Sequence, residues 1–270
     1  MQPCKIGIVG CGTIGSALAR FISLELGTSA ELAGLADFDI QKAKELKKKY
    51  SLACRVCLTS ELVSLSDFVI EAASIECVKD LLKLCLLENR DVMILSVGGL
   101  LENPNLYEQF RKGPKHLYIP SGAISGIDAL LAAREGGIES VKITTSKPPR
   151  SLIGAPYIEK NKINLDGIKG PTQIFEGSAE DAIRAFPKNI NVSAVLSLAG
   201  IGSSRTKVEI IADPGIKNNI HNIDVIGPFG EIHTICVNEP DPDNPKTSHL
   251  AILSAESMLR KIFSYIIIGS

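Results

Sequence analysis

Residues 5–15 read KIGIVGCGTIG, an apolar run followed by three glycines in the spacing G-x-G-x-x-G. The run from Lys5 to Val9 suits a buried strand, and apolar residues at helical spacing follow from Thr13 to Leu26. Glycine spacing of this kind is a weak signal alone, but between a strand and a helix it is the dinucleotide-binding fingerprint. The stretch therefore predicts a Rossmann-type βαβ unit.

Each part of this fingerprint has a predicted contact with a dinucleotide. Gly10 permits the tight turn, Gly12 lets a pyrophosphate approach the backbone, and Gly15 lets the helix lie close to the strand. The helix begins at Thr13 and Ile14, where its first N–H groups and the positive end of its dipole face the phosphate.

The second predicted strand, Glu31 to Ala36, ends at Asp37, about 20 positions after Gly15. A carboxylate at this point suits the adenosine ribose hydroxyls and repels a 2′-phosphate, which favours NAD over NADP. Lys42 and Lys44 soften that preference, so NADP stays possible.

The first half of the chain alternates strands with helices, which is typical of a parallel sheet with helices on both faces. In such sheets ligands bind at the carboxyl ends of the strands. Small residues follow predicted strands there, and we expect Ala73 and Ser74 in particular to contact the cofactor. The segments concerned are Ala72-Ala73-Ser74, Val97-Gly98-Gly99 and Ser121-Gly122-Ala123.

After Gly122 the regular alternation of predicted strands and helices ends. The residues from 148 to 170 indicate loops, and Gly227 and Gly230 mark the turn of a hairpin. The predicted fold class is α/β, a Rossmann-type doubly wound parallel sheet with a second α+β domain. We place the dinucleotide-binding domain at 1–122 and the second domain at 123–244, and we expect a C-terminal helix within 245–270 to pack back on the first domain.

Composition excludes several classes of protein. The 270 residues carry a net charge of −1, so no overall positive field attracts nucleic acid. No stretch approaches the ~18 consecutive apolar residues of a membrane span, and the amino terminus lacks a signal-like pattern. Seven cysteines, an odd number, do not describe a disulfide framework. These features predict a reduced, cytoplasmic protein.

Cysteine and histidine offer few candidate sites. Cys54 and Cys57 form half of a zinc motif with no second pair, so we interpret them as buried thiols and predict no metal site. Among the four histidines, His221 differs because it follows Asn218 and Asn219 in a polar turn entering the hairpin. A dehydrogenase needs a base whose pKa lies near the working pH, and histidine is the usual choice.

Several segments together resemble the L-aspartate dehydrogenase family of archaea and bacteria. The later ones matter most, since general Rossmann dehydrogenases lack them. They are IVGCGTIG (8–15), EAAS (71–74), SVGGL (96–100), PSGAISGIDA (120–129), KPP (147–149), FEGSA (175–179), FPKNINV (186–192) and NPKTS (244–248). The polar stretch from Tyr157 to Asn164 departs from the family pattern.

The resemblance implies NAD(P)-dependent oxidation of L-aspartate to iminoaspartate by a homodimer. The imine would hydrolyse to oxaloacetate and ammonia or feed NAD biosynthesis through quinolinate. By this resemblance Ala123 and Asn189 contact NAD, and His221 is the catalytic histidine.

Two substrate carboxylates need donors. The candidates are Lys147 and three residues expected at the start of the last helix, namely Lys246, Thr247 and Ser248. Two alternatives remain open: a related reductase of the dihydrodipicolinate reductase or homoserine dehydrogenase type, and a non-catalytic NAD-binding sensor.

Overall fold

The structure, a computed structural model, describes residues 2–187 and 191–269. The chain divides into two compact units. The first comprises Met1–Pro120 with Ile252–Ile267, and the second comprises Ser121–Ala251 with Ile268–Ser270. Among the described residues, none of the helices is long and apolar enough to cross a membrane.

The first unit is built on a six-stranded parallel sheet with the order β3-β2-β1-β4-β5-β6. This confirms the predicted doubly wound sheet, since the strand order reverses beside β1. The strands are β1 (Cys4–Val9), β2 (Ala30–Ala36), β3 (Arg55–Val56), β4 (Phe68–Glu71), β5 (Asp91–Ile94) and β6 (Leu117–Tyr118). The helices are α1 (Thr13–Glu25), α2 (Ile40–Lys49), α3 (Thr59–Leu65), α4 (Ile75–Leu87), α5 (Gly98–Glu102) and α6 (Pro104–Lys112).

The second unit is built on a mixed five-stranded sheet with the order β11-β10-β7-β9-β8. Only the β7 and β9 pair is parallel within this sheet. The strands are β7 (Ser140–Lys147), β8 (Thr172–Ser178), β9 (Thr206–Ala212), β10 (Asn219–Gly227) and β11 (Gly230–Asn238), and a separate pair follows, β12 (Pro240–Asp241) and β13 (Asn244–Ser248). The helices are α7 (Ile127–Gly136), α8 (Pro156–Lys160), α9 (Ala179–Ala185) and α10 (Asn191–Ala199).

One face of the five-stranded sheet is buried beneath helices. Alternate residues of β7, β9 and β10 point to this face, and most are apolar. They include Val141, Ile143, Val208, Ile210, Ile223 and Val225. The other face is more exposed, and on β11 Ile235 and Val237 are 71% and 61% accessible.

The last helix, α11 (His249–Ile262), belongs to the first unit from Ile252 onward. Ala255 and Leu259 of this helix are fully buried and join the core that contains Leu18 and Ile22 of α1.

Several local expectations were wrong. The strand β8 was not predicted, because a bulge between Gln173 and Phe175 breaks the alternation of its apolar and polar residues. The stretch from 148 to 170 contains α8 and two 3₁₀ turns rather than loops alone. Gly98 and Gly99, expected in a loop after the fifth predicted strand, begin α5; a Cβ on Gly99 would lie 2.7 Å from Val78, so this glycine lets α5 pack on α4.

Candidate active site

The glycine-rich loop after β1 forms an open cradle. Gly10 has φ +98°, and a Cβ there would collide with the carbonyl oxygen of Ala72. A Cβ on Gly15 would collide with the carbonyl oxygen of Gly10. A Cβ on Gly12 would meet no atom of the described residues within 4 Å. Because Gly12 is also the N-cap of α1, the helix end carries no side chain there, and the loop has the shape that a pyrophosphate requires.

Asp37 joins the end of β2 to this cradle. Its Oδ2 accepts a hydrogen bond from the N–H of Cys11 at 2.7 Å, and its Oδ1 accepts one from the N–H of Asp39 at 2.9 Å. Each carboxylate oxygen can accept more than one bond, so both keep capacity for ribose hydroxyls. The residues present therefore fit a dinucleotide with a ribose beside Asp37.

Glu71, the last residue of β4, is a fully buried carboxylate. Its Oε1 accepts bonds from the N–H of Ala73 at 2.8 Å and the hydroxyl of Ser96 at 2.9 Å. Its Oε2 accepts bonds from the N–H groups of Ser96 at 2.8 Å and Leu95 at 3.2 Å. Burial raises the pKa of Glu71, and these bonds to the charged form oppose that rise. The carboxylate ties together the segments that follow β4 and β5, including Ala73, and Ser74 occupies the N-cap position of α4 without a side-chain cap hydrogen bond.

Ala123 lies in the second unit and is held by a buried amide. Its carbonyl oxygen accepts a bond from Nδ2 of Asn238, the last residue of β11, at 3.0 Å. Asn238 is 3% exposed. The nearby hydroxyl oxygen of Ser125 accepts a bond from the thiol of Cys236 at 3.2 Å. The segment that carries Ala123 is therefore fixed to the end of β11.

His221 lies inside β10, so the expectation of a turn was wrong. Its neighbours Asn218 and Asn219 suggested a turn, but Asn219 is the first residue of β10, and the imidazole lies on the buried face of that strand. Its register partners are Thr145 on β7 and Cys236 on β11. The imidazole is 3% exposed, and its Nδ1 lies 2.9 Å from Oγ1 of Thr145.

Lys147 is the last residue of β7 and shares the buried face with Thr145. It is 7% exposed, and burial lowers the pKa of its ammonium from 10.5 to about 8. Burial, together with the positive charge of Lys147, lowers the pKa of His221 from 6.5 to about 3. The structure therefore brings together a neutral imidazole and a cation at the end of one buried sheet face.

The other predicted substrate contacts lie in β13. Lys246, Thr247 and Ser248 belong to this strand, so the expectation that they form the first turn of the last helix was wrong. Pairing with β12 extends the chain there, and α11 begins only at His249, whose N–H donates to the carbonyl of Glu239 at 2.9 Å. Asn189 lies outside the described residues.

The cysteines of the chain are all free thiols in the described residues. Cys54 is buried and Cys57 half-buried, and burial raises the pKa of both. Cys11, in the glycine-rich loop, has its pKa raised to about 12, again mainly by burial. High thiol pKa values disfavour the reactive thiolate, which fits a packing role.

The two halves of the chain match different families of known proteins. Residues 10–120 match the family described as "Homoserine dehydrogenase, NAD binding domain", and residues 128–262 match "Aspartate dehydrogenase, C-terminal". An L-aspartate dehydrogenase of Methanosarcina barkeri is 46% identical, over 98% of this chain and 99% of its own length. This chain belongs to the L-aspartate dehydrogenase family.

Further relatives of this family lie in other lineages. An L-aspartate dehydrogenase of Nitrosopumilus maritimus is 41% identical over 96% of this chain and 97% of its own length. The crystal structure of aspartate dehydrogenase from Thermotoga maritima superposes with a TM-score of 0.74 at 28% identity, covering 98% of this chain and 99% of that one. His221 and Lys147 lie in the region that matches the aspartate dehydrogenase C-terminal family.

Three residues of the candidate site were not singled out from the sequence: Glu71, Thr145 and Asn238. Thr145 had a readable signal, because it is in phase with Val141 and Ile143 along a strand whose alternate residues are apolar. A polar residue in phase with buried positions needs a hydrogen-bond partner, and this requirement points to function or to a network. Glu71 and Asn238 had no such signal, since Ser96, which bonds Glu71, and Ala123, which bonds Asn238, are distant from them in sequence.

Proposed function

We propose that this chain oxidises L-aspartate to iminoaspartate with NAD, or NADP, as hydride acceptor. One observation carries the proposal: a buried His221 and the cation of Lys147 share one sheet face within the region that matches the aspartate dehydrogenase C-terminal family. The full-length identity to L-aspartate dehydrogenases supports the choice of substrate.

The first unit supplies most of the proposed cofactor contacts. Gly10, Gly12, Thr13, Ile14 and Gly15 would hold the pyrophosphate at the amino end of α1. Asp37 would accept bonds from the adenosine ribose.

Further cofactor contacts are assigned to the segments after other strands: Ala73, Ser74, Ala123 and Asn189. When bound, the nicotinamide accepts the hydride that leaves Cα of the substrate.

His221 is proposed to take the proton from the substrate's ammonium group. The freed nitrogen lone pair forms the C=N bond while the Cα–H bond breaks and its electron pair leaves as hydride. A low pKa keeps the imidazole neutral before substrate binds. Burial is the larger cause of that low pKa; a dicarboxylate bound beside Lys147 would offset the smaller cause, the lysine charge, and so raise the pKa of His221.

Lys147 is proposed to bind a substrate carboxylate, with Lys246, Thr247 and Ser248 as further candidates. We expect Lys147→Met to weaken binding of L-aspartate and of succinate by about 10–100-fold, since a charge-assisted hydrogen bond is worth ~1.5–3 kcal/mol. Inhibition by succinate measures this loss of binding, because succinate lacks the amino group and remains a dianion at neutral and alkaline pH.

The pKa of Lys147, about 8, also sets a pH dependence. The ammonium is charged below that value and loses its proton above it, so succinate binding should weaken about tenfold per pH unit in the alkaline range. Lys147→Met should abolish this dependence. Lys142→Met, on the opposite face of β7 and paired with Glu209, is the matched control; equal losses in both variants would contradict the assignment.

Asp37 is proposed to select NAD. Asp37→Ser removes the charge that repels a 2′-phosphate, and we expect the NAD to NADP ratio of kcat/KM to fall about tenfold or more. Asp39→Ser is the control, since serine preserves the N-cap that Asp39 supplies to α2. An unaltered ratio in Asp37→Ser would refute the ribose contact.

We further propose a homodimer that works in the reducing cytoplasm. The free thiols fit that compartment. The exposed face of the five-stranded sheet, with Ile235 and Val237, suits a second copy of the chain, and sedimentation should give twice the mass of one chain.

We propose two fates for the product iminoaspartate. It hydrolyses to oxaloacetate and ammonia, or it enters NAD biosynthesis through quinolinate.

A substrate screen tests the proposed function. NADH formation is followed at alkaline pH with L-aspartate, D-aspartate, homoserine and alanine as separate substrates. We expect turnover with L-aspartate above the others. Turnover favouring homoserine would indicate the related reductase class, and cofactor binding without any turnover would indicate a sensor.

A further inference from the structure

The hydrogen bond between His221 and Thr145 is built into the sheet. The antiparallel register of β10 and β7 places the two residues directly opposite each other, with both side chains on the buried face. Nδ1 and Oγ1 are 2.9 Å apart, and the threonine is 4% exposed. Backbone pairing on both strands therefore fixes the position of each partner.

The partner of the imidazole is a hydroxyl rather than a carboxylate, and this difference has a chemical consequence. The hydroxyl oxygen accepts a bond from Nδ1–H in the neutral tautomer whose Nε2 is bare, and it accepts the same bond when Nε2 is protonated as well. It can therefore remain bonded in both states. A carboxylate would favour the imidazolium and hold the ring protonated.

The contact also divides the two ring nitrogens. With Nδ1–H donating to the threonine oxygen, Nε2 is the bare nitrogen that takes the substrate proton. Cys236 flanks the ring position on β11, and its thiol is directed to Ser125. Lys147, on the same strand as the threonine, adds a positive charge that disfavours the imidazolium.

We propose that Thr145 is a positioning residue that holds the His221 imidazole by Nδ1 through both protonation states and so reserves Nε2 for the substrate proton. This inference rests on the proposed function for the identity of the substrate, but the hydrogen bond itself does not depend on it.

The test compares three substitutions, two at Thr145 and one at a second buried threonine. Thr145→Val keeps the shape and removes the hydroxyl, and Thr145→Ser keeps the hydroxyl. Thr206→Val is the matched control, since Thr206 is fully buried on the same face and its hydroxyl donates to the carbonyl of Gly202 at 2.9 Å.

We expect kcat to fall about 10–100-fold in Thr145→Val, because a misplaced catalytic group costs up to about 10²-fold. The KM for NAD should not change, and Thr145→Ser should recover most of kcat. Thr206→Val should lower the melting temperature but keep kcat. If Thr145→Val does not fold, Thr145→Ala carries the same comparison.

A second readout is independent of turnover. Nitrogen NMR of the His221 ring in the cofactor-free protein should show one tautomer in the wild type and in Thr145→Ser, and a mixture in Thr145→Val. Identical ring signals in all three, or a wild-type kcat in Thr145→Val, would overturn the proposal. If L-aspartate proves not to be the substrate, the NMR comparison still decides the role of Thr145. A wrong substrate and a wrong role for Thr145 can therefore be told apart.

Discussion

The substitution His221→Asn is expected to lower kcat with L-aspartate by about 10²–10⁴-fold, the range that general acid–base catalysis contributes. The variant keeps a polar side chain of smaller size but cannot take up the substrate proton. Binding of the cofactor, measured as NADH, should be nearly unchanged, because the proposed cofactor contacts lie mainly in the first unit. Steady-state kinetics and a fluorescence titration with NADH measure the two quantities; the chain has no tryptophan to interfere.

His233→Asn serves as the control for that experiment. His233 lies on the neighbouring strand β11 but is exposed, and its ring nitrogens contact Asp224 at 2.7 Å and Glu231 at 3.0 Å. These acids raise the pKa of His233, opposite to the shift at His221. We expect kcat of the control to remain near wild type. A wild-type rate in His221→Asn would remove the imidazole from the mechanism.

The second large effect is expected at Glu71. Glu71→Ala removes the carboxylate acceptor of the Ala73 N–H and of the N–H and hydroxyl of Ser96, whereas the Leu95 N–H keeps the backbone carbonyl of residue 71 at 3.1 Å. An unsatisfied buried donor costs about 1–3 kcal/mol, so we expect a loss of about 3 kcal/mol or more in the free energy of unfolding. For a chain of this size that corresponds to a fall in Tm of about 6–12 °C.

Glu71→Gln and Glu31→Ala refine this prediction. The glutamine oxygen can take the place of Oε2, which accepts from two N–H groups, while its NH₂ then faces the N–H of Ala73. We expect an intermediate loss of about 1–3 kcal/mol. Glu31, exposed on β2, should tolerate alanine with little change. Equal Tm values for Glu71→Ala and Glu31→Ala would show that the buried carboxylate does not hold the two segments.

The first unit was predictable because its signals are local. Gly10 needs a positive φ and Gly15 a close approach, and both requirements act within one strand, turn and helix. The apolar runs of β1, β4 and β5 are buried on both faces, which gives the continuous pattern of a parallel sheet. By contrast α3 is short and buries only Leu62 and Val63, too little for a visible periodicity.

The site in the second unit was harder to predict because its residues come from strands distant in the sequence. His221 was identified by resemblance and by its chemistry, yet its neighbours suggested a turn rather than a sheet interior. The bond to Thr145 joins residues that only the β7 and β10 register brings together. The lowered pKa of Lys147 depends on the burial of its ammonium group. Lysine is mostly exposed in proteins, so a single sequence does not show that this one is buried.

The most direct test of the whole account follows the hydride itself. The wild-type protein is supplied with NAD and L-aspartate that is deuterated at Cα, and the NADH formed is analysed by mass spectrometry. We predict that the NADH carries the deuterium, since the Cα hydride is transferred directly to the nicotinamide ring. Unlabelled NADH, or no NADH with L-aspartate while another amino acid is oxidised, would contradict the account.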